Sequence, residues 1–494
     1  MPQSPAPEPE RHLLTRATDT PTAHPQRPSR RFDGRILMIG FGLIGQGVLP
    51  LLLRHLDLRP RQIHVVTDTA EGADSARCQG IGFEVLPLTE QNHASILQAR
   101  LAPGDAVLNL SVNVSSVALL GVCQALGVLY LDTCIEPWAG GYLDPARPLG
   151  ARTNHALREA ALALRRVRPS GPTALLTHGA NPGLVSHFVK RALLQLAHHA
   201  GLSDPAPVCR AEWAALAQRL DIQVIHIAER DTQSSARRKR PDEFVNTWSV
   251  EGLMSEARQP AELGWGTHER RFPADGARHF VGSQAAIYLK RPGAATRLRT
   301  WTPLAGPDMG FLITHAEAIS IADYLTVGDD AAPEYRPTVA YAYHPCDDAV
   351  LSLDELAARG WRAQTAQRLL RDEISEGTDA LGVLLMGPRH GAYWYGSLQD
   401  IDTARRLCPR NNATSLQVTA AVVSGLRWAI DHPDRGILEP DELPHEDILS
   451  LAEPYLGRLV GVHTLWSPLT DRGWLMEDAF DAGDPWQFDH FRVS

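Results

Sequence analysis

Two sets of residues in this chain have the types and spacing to do chemistry. The first is Gly40-Phe41-Gly42-Leu43-Ile44-Gly45, which follows the G-x-G-x-x-G pattern of a dinucleotide-binding turn. In that pattern Gly40 permits a tight turn, Gly42 lets a pyrophosphate approach the backbone, and Gly45 lets the next helix pack closely on its strand. Leu43 and Ile44 open that helix, whose free N–H groups and partial positive charge suit phosphates. Asp68 stands 23 residues beyond Gly45. A carboxylate there accepts hydrogen bonds from ribose hydroxyls and repels a 2′-phosphate, which favours NAD over NADP. The glycine pattern alone leaves FAD open.

The second set pairs carboxylates with tryptophans. Glu136 precedes Pro137-Trp138; Glu229, Arg230 and Asp231 lie in HIAERDTQ; Trp248 and Glu251 lie in NTWSVEG, with Glu256 nearby. AELGWG adds Glu262 and Trp265, and THAEAISIADY adds His315, Glu317 and Asp323. Such a combination suits an organic cation: an indole face attracts an ammonium by about 0.5–2 kcal/mol, and carboxylates add charge-assisted hydrogen bonds. Each tryptophan is equally at home in a core and each acid on a solvated face. His178, beside Gly179-Ala180-Asn181-Pro182-Gly183, suggests a loop lining a pocket, although Asn-Pro-Gly is first a turn signal. No HExxH, G-x-S-x-G or paired Cys/His signature occurs, so no metal is expected.

The elements that must position these residues are readable from the pattern. RILMIG is an apolar run ending in glycine, VLPLLLRHL is a helical segment, and IHVVTD, AVLNLSV and VLYLDT are further apolar strands separated by helical stretches such as SSVALLGVCQAL. Strands alternating with helices imply parallel βαβ units, and their nearly continuous apolarity implies helices on both faces of the sheet. Ligands in such sheets sit beyond the carboxyl ends of the strands. Asn109, Ser111, Asp132 and Thr133 fall there and can meet the nicotinamide half of the cofactor, or simply cap loops. Pro50 should cost the first helix a hydrogen bond or bend it.

The fold class is therefore α/β: a Rossmann-type NAD domain over 32–169, followed by an α+β substrate and dimerisation domain over 170–400. The helix RTNHALREAALALRRV ends the first domain, and a C-terminal segment, 401–494, is expected to return to it through the helix SLQVTAAVVSGLRWAI. Residues 1–31, rich in Pro, Ser, Thr and Arg, read as a disordered leader without a secretory signal's apolar stretch. The 494 residues allow two or three domains. A formal charge of -9 argues against nucleic acid, and no apolar run reaches membrane-spanning length. Six scattered cysteines point to a reducing cytoplasm.

The runs GFGLIGQG, NLSV, DTCIEPW, GANPG, HIAERDTQ, FVNTWSVEG, PAELGWGT, THAEAISIADYLTV, YAYHPCDDAVLSL, AYWYGS, NATSLQV and DPWQF, in this order, resemble the bacterial homospermidine synthases of the saccharopine dehydrogenase-like family. The resemblance runs from about Arg31 to the C-terminus. It implies a homodimer with tightly held NAD that oxidises a putrescine amine carbon to an imine, exchanges the amine with a second putrescine, releases ammonia and reduces the new imine. Under it, Trp248 faces the bound amine, Glu229 and Glu256 hold ammonium ends, and Glu136 and Asn181 line the pocket beside the reacting carbon. His315 and Glu317 form a further pocket pair, to which a proton-shuttling role is assigned here. One position departs from the pattern: Asn113 stands where the family commonly has Asp, which leaves the exact amine preference open. The alternatives are a saccharopine- or carboxyspermidine-like reductase, whose carboxylated substrates would need Arg or Lys in the pocket, and an NAD(H)- or polyamine-binding module without turnover.

Overall fold

In the computed structural model, which describes residues 29–476 and 480–493, the chain forms two large sheets and several two-stranded ones. The first sheet has seven strands, all parallel. In space they run Ile437–Leu438, Ala174–Leu175, Leu129–Asp132, Ala106–Asn109, Ile36–Ile39, Ile63–Thr67 and Gly82–Val85. Leaving out the late-returning strand Ile437–Leu438, this is the 3-2-1-4-5-6 order of a doubly wound dinucleotide-binding sheet. Its strand order reverses between Ile36–Ile39 and Ala106–Asn109. The four apolar runs of the sequence are the four central strands, and their residues are almost wholly buried because helices cover both faces.

The helices follow the pattern closely. Leu43–His55 runs through Pro50, Ser116–Leu126 is capped by the Ser115 hydroxyl accepting from Ala118 N, and Asn154–Val167 is capped in the same way by Thr153. Three strands of the sheet carry little sequence signal. Gly82–Val85 is a half-buried edge strand without alternation, and Ala174–Leu175 and Ile437–Leu438 have two residues each. The sheet is therefore wider than its four clear apolar runs.

Residues 1–28 of the expected leader lie outside the described residues. Arg30 and Arg31 pair in parallel with Leu56 and Asp57. The C-terminal segment divides its contacts. The helix Ala413–Asp431 packs along Leu43–His55, with Asn411 Nδ2 donating to Gly47 O at 3.2 Å, and the Tyr455 hydroxyl lies 2.7 Å from His55 Nε2. The strand Arg458–Thr464 instead joins the second sheet.

That second sheet is mixed and has eleven strands. At its centre Val224–Asp231 pairs in parallel with Thr338–His344 and antiparallel with Thr378–Gly387. Strand period puts Ile225, Ile227, Glu229 and Asp231 on one face, together with Val339, Tyr341 and Tyr343 from the neighbouring strand. The apolar members of this face join the core shared with the first domain. The opposite face, with Ala228, Ala342 and Trp394, belongs to a separate core that also buries Trp265. No helix among the described residues is long and apolar enough to cross a membrane.

Two polar clamps hold the domains together, both on the helix Asn154–Val167. At its N-terminus the buried Glu262 carboxylate accepts from Asn154 N at 2.6 Å and His155 N at 3.2 Å, placing negative charge where the helix offers free N–H groups. One turn on, the buried Arg158 guanidinium donates twice to Glu439, at 2.6 and 2.7 Å, and once each to Asp323 at 2.7 Å and Glu159 at 3.2 Å. Removing this cation leaves the buried Glu439 and Glu159 and the half-buried Asp323 without their shared partner. Arg158→Ala should therefore destabilise the protein by about 3–5 kcal/mol. Thermal unfolding at neutral pH checks this, and a Tm within a degree or so of wild type would rule it out.

Candidate active site

The cofactor half of the site is built at the switch point of the first sheet. Gly40 has φ +86°, and a Cβ there would come within 2.9 Å of Leu110 O and Ser111 N, so the turn requires glycine. A Cβ on Gly45 would stand 2.9 Å from Gly40 O, the close approach of helix to strand that the pattern implies. Gly42 is the opposite case: a Cβ there would meet nothing within 4 Å, so its face is open to an incoming group. Beside it the first-turn amides from Leu43 onward have no acceptor within the helix. Asp68 is exposed immediately after the strand Ile63–Thr67. An open glycine, free amides and an acid at the ribose position together fit a dinucleotide pyrophosphate and its adenosine ribose.

The other strand-end residues separate into two groups. Asp132 is fully buried, accepts from Thr177 N at 2.5 Å and from the Tyr130 hydroxyl at 2.8 Å, and so anchors a loop instead of facing a ligand. Asn109 is also buried; its Oδ1 accepts from the Ser111 hydroxyl at 2.6 Å, and its Nδ2 lies 3.4 Å from the Tyr130 hydroxyl. Ser111 and Thr133 are half-buried and closer to the open edge. His178, read as a pocket neighbour, is fully buried behind the loop and 3.3 Å from His187.

The strand Leu129–Asp132 leads directly into the second half of the site. Here Glu136, Tyr142, Pro182, Glu256, Thr314 and His315 are among the residues lining a narrow cleft between the domains. Glu136 is buried: its N–H is held by the Ser116 hydroxyl at 3.0 Å, and Asn113 N reaches its Oε2 at 3.4 Å. Burial, with the charge of Glu256 adding to it, pushes the Glu136 carboxyl up to about 8. Asn113 is exposed with φ +63°, a conformation Asn tolerates better than most residues.

His315 stands at the start of the helix Ala316–Tyr324 between two carboxylates. Its Nδ1 is 3.2 Å from Glu317 Oε1 and its Nε2 is 3.2 Å from Glu256 Oε2. The second contact is at ion-pair distance but poorly aligned, so the Glu256 and His315 atoms complete no hydrogen bond among the described residues. Burial opposes charge on the imidazole, yet Glu317 and Glu256 outweigh it and hold the imidazolium well above the ordinary histidine range.

Behind His315 the site continues onto the second sheet. Asn181 Nδ2 donates to Glu229 Oε2 at 2.5 Å, and the Tyr341 hydroxyl donates to the same oxygen at 2.6 Å. Burial pushes Glu229 up to about 7, although both of these bonds favour its charged form. Asp231 and Asp379, opposite each other across the strands, are also raised, first by burial. Trp248, which precedes the helix Val250–Arg258 carrying Glu256, is half-buried and donates its indole N–H to the Tyr343 hydroxyl at 3.0 Å.

The structure thus links Glu136, Asn181, Glu229, Trp248, Glu256, His315 and Glu317 into one connected site, with the Asn113 backbone on Glu136. It leaves out other acids and tryptophans of the same pattern. Glu262 and Asp323 belong to the domain clamps, Arg230 pairs with Asp347, Glu251 is exposed, and Trp265 is core. Tyr341 and Tyr343 were not singled out from the sequence. The alternation of TVAYAYH, which puts both tyrosines on one strand face, is the signal that could have found them.

Comparison with known proteins agrees with this geometry. Residues 36–175 match the saccharopine dehydrogenase NADP binding domain, and residues 179–464 match the saccharopine dehydrogenase C-terminal domain. The chain is 48% identical over 475 residues to a homospermidine synthase of Blastochloris viridis, covering 95% of this chain and 98% of that protein. It is 47% identical over 467 residues to one from Mesorhizobium japonicum, covering 93% and 96%. The crystal structure of a Legionella pneumophila homospermidine synthase in complex with NAD is similar at a TM-score of 0.88 and 46% identity, covering 94% of this chain and 99% of that one. The chain therefore belongs to the saccharopine dehydrogenase family, among its homospermidine synthases.

Proposed function

We propose that this chain condenses two molecules of putrescine into homospermidine with release of ammonia, working with NAD as a cytoplasmic homodimer. The observation that carries the reading is the lining of the cleft. Glu136, Glu256 and His315 line it, Glu229 is joined to it through Asn181 and through Tyr341 beside His315, and among the described lining residues there is no Lys or Arg. Such a cleft rejects the carboxylated substrates of a saccharopine-type reductase and receives a diamine. The near-full-length likeness to homospermidine synthases supports the same reading. Although the matched domain bears NADP in its name, the Legionella relative was solved with NAD, and the exposed Asp68 disfavours a 2′-phosphate.

Gly40, Gly42, Leu43, Ile44, Gly45 and Asp68 would hold the cofactor, with Ser111 and Thr133 at its nicotinamide end and Asn109 supporting their loop. Bound NAD supplies hydride abstraction and return, so the net reaction is a transfer without redox change. The protein's own task is to manage protons and cations. An amine carbon is oxidised only when its nitrogen is unprotonated, so a group in the cleft must take a proton from the ammonium. Glu136, held up to about 8, is matched to that task, because a raised carboxyl narrows the gap to an ammonium. His315, charged between Glu317 and Glu256, is placed to pass a proton between the cleft and Glu317. Glu229 and Glu256 hold ammonium ends, and the face of Trp248 stabilises iminium charge.

Purified protein incubated with putrescine and catalytic NAD should yield homospermidine and ammonia; bound NAD with neither product would refute the reading. At the mouth, Asn113 accepts a hydrogen bond but offers no charge. Asn113→Asp should lower the apparent KM for putrescine several-fold at low ionic strength, with the gain shrinking as salt is added. An unchanged KM would mean that charge at this position is irrelevant.

Glu136 also makes stability depend on pH in the amine-free protein. Its carboxyl keeps its proton up to about 8 when folded but only up to about 4.5 when unfolded. Its favourable contribution is thus complete at low pH and is lost as pH rises through that window. Glu136→Gln, which cannot ionise, should match wild type in Tm near pH 4.5 and exceed it increasingly toward about pH 8.5. Thermal scans across that range check this, and a difference that stays flat with pH would refute it.

A further inference from the structure

The pair Tyr341 and Tyr343 connects His315 and Glu229 to Trp248. Both project from the strand Thr338–His344 on the face turned toward the cleft, two residues apart. Their rings stack, with centroids 5.2 Å apart and planes at 14°. On one side the Tyr341 ring lies 4.7 Å from the His315 ring, and its hydroxyl donates to Glu229 Oε2 at 2.6 Å. On the other side the Tyr343 hydroxyl accepts the Trp248 indole N–H at 3.0 Å. Both side chains are buried, so neither hydroxyl is spent on bulk water.

We infer that Tyr341 and Tyr343 are the positioning residues of the amine site: Tyr341 keeps Glu229 in its charged, ammonium-holding form, and Tyr343 fixes the plane that Trp248 presents to the substrate. The inference rests on the reading above, in which Glu229 and Trp248 face the amine. The two tyrosines act through different partners and by different physics. An O–H donated to a carboxylate stabilises the ionised form selectively, so its loss raises that carboxyl's affinity for protons. An acceptor for an indole N–H does nothing to a proton equilibrium; it removes rotational freedom from the ring. Because the tyrosines stack, each also limits the movement of the other. This gives the strand a single rigid surface from His315 to Trp248.

Tyr→Phe keeps the ring and the packing while removing only the hydroxyl, so it separates these roles from mere folding. Putrescine affinity is measured by calorimetry between about pH 5 and 9 on NAD-loaded Glu136→Gln enzyme, in which that cleft carboxyl no longer titrates. With Asp231, Asp379 and His315, the other groups around Glu229, the same in every variant, the acid limb of that affinity should be set by Glu229. Tyr341→Phe should move that limb upward by about one pH unit. Tyr343→Phe should leave the limb in place and, with Glu136 unchanged, lower kcat about tenfold. That loss should vanish in a Trp248→Phe background, where no N–H remains to be oriented.

Glu229→Gln completes the test. A limb abolished in Glu229→Gln but unmoved in Tyr341→Phe overturns the Tyr341 role alone. A limb that survives Glu229→Gln overturns the placement of the amine at Glu229, and this inference with it. Losses from Tyr343→Phe and Trp248→Phe that simply multiply would overturn the Tyr343 role.

Discussion

One docked helix ties the two halves of the site together. Asn154–Val167 belongs to the dinucleotide-binding half, but its N-terminus rests on Glu262 of the second sheet, and Arg158 reaches Asp323 and Glu439 in two other parts of the chain. Glu262 also accepts from the Thr314 hydroxyl, next to His315, and Asp323 lies at the far end of the helix that begins after His315. The same contacts that join the domains therefore set the position of the imidazole relative to Glu136. Ordinary surface ion pairs could not do this, since they contribute little and tolerate movement. Buried ones carry a desolvation cost and give direction in return.

The cleft itself works against stability. Glu136, Glu229, Asp231 and Asp379 are buried acids whose proton affinities are raised, and few of their neighbours are cations. In each of them burial works against the charged form. A cation bound beside such acids would favour their charged forms, so its binding and their ionisation would be linked. His315 is the exception, an imidazole held between Glu317 and Glu256, whose charges favour its protonated form against the effect of burial.

How much of this was legible in the sequence depended on how local each signal was. The glycine turn could be read residue by residue, since Gly40, Gly42 and Gly45 have distinct tasks within six positions and their strand and helix adjoin them. Asp132 could not be assigned, because an acid at a strand end caps a loop or meets a ligand with the same local sequence; Thr177, which decides it, is 45 residues away. Trp248 and Trp265 look alike in one dimension and are separated only by which face of the second sheet each meets. For the amine site, ordered motifs carried the assignment, as composition cannot bring residues 136, 229 and 315 together. The edge strand Gly82–Val85 has no clean alternation, being half-buried on both sides.

The strand Ile437–Leu438 closes the first sheet against Ala174–Leu175, and the helix Ala413–Asp431 covers its first helix. For a chain made from its N-terminus on the ribosome, the dinucleotide-binding half is thus begun first and finished nearly last. Until about residue 440 has emerged, Ala174–Leu175 is a sheet edge with unpaired backbone groups, and Leu43–His55 lacks its cover. The two halves are consequently not successive folding units. The nascent first half must wait, partly exposed, for a segment that is separated from it by the whole of the second sheet's central strands.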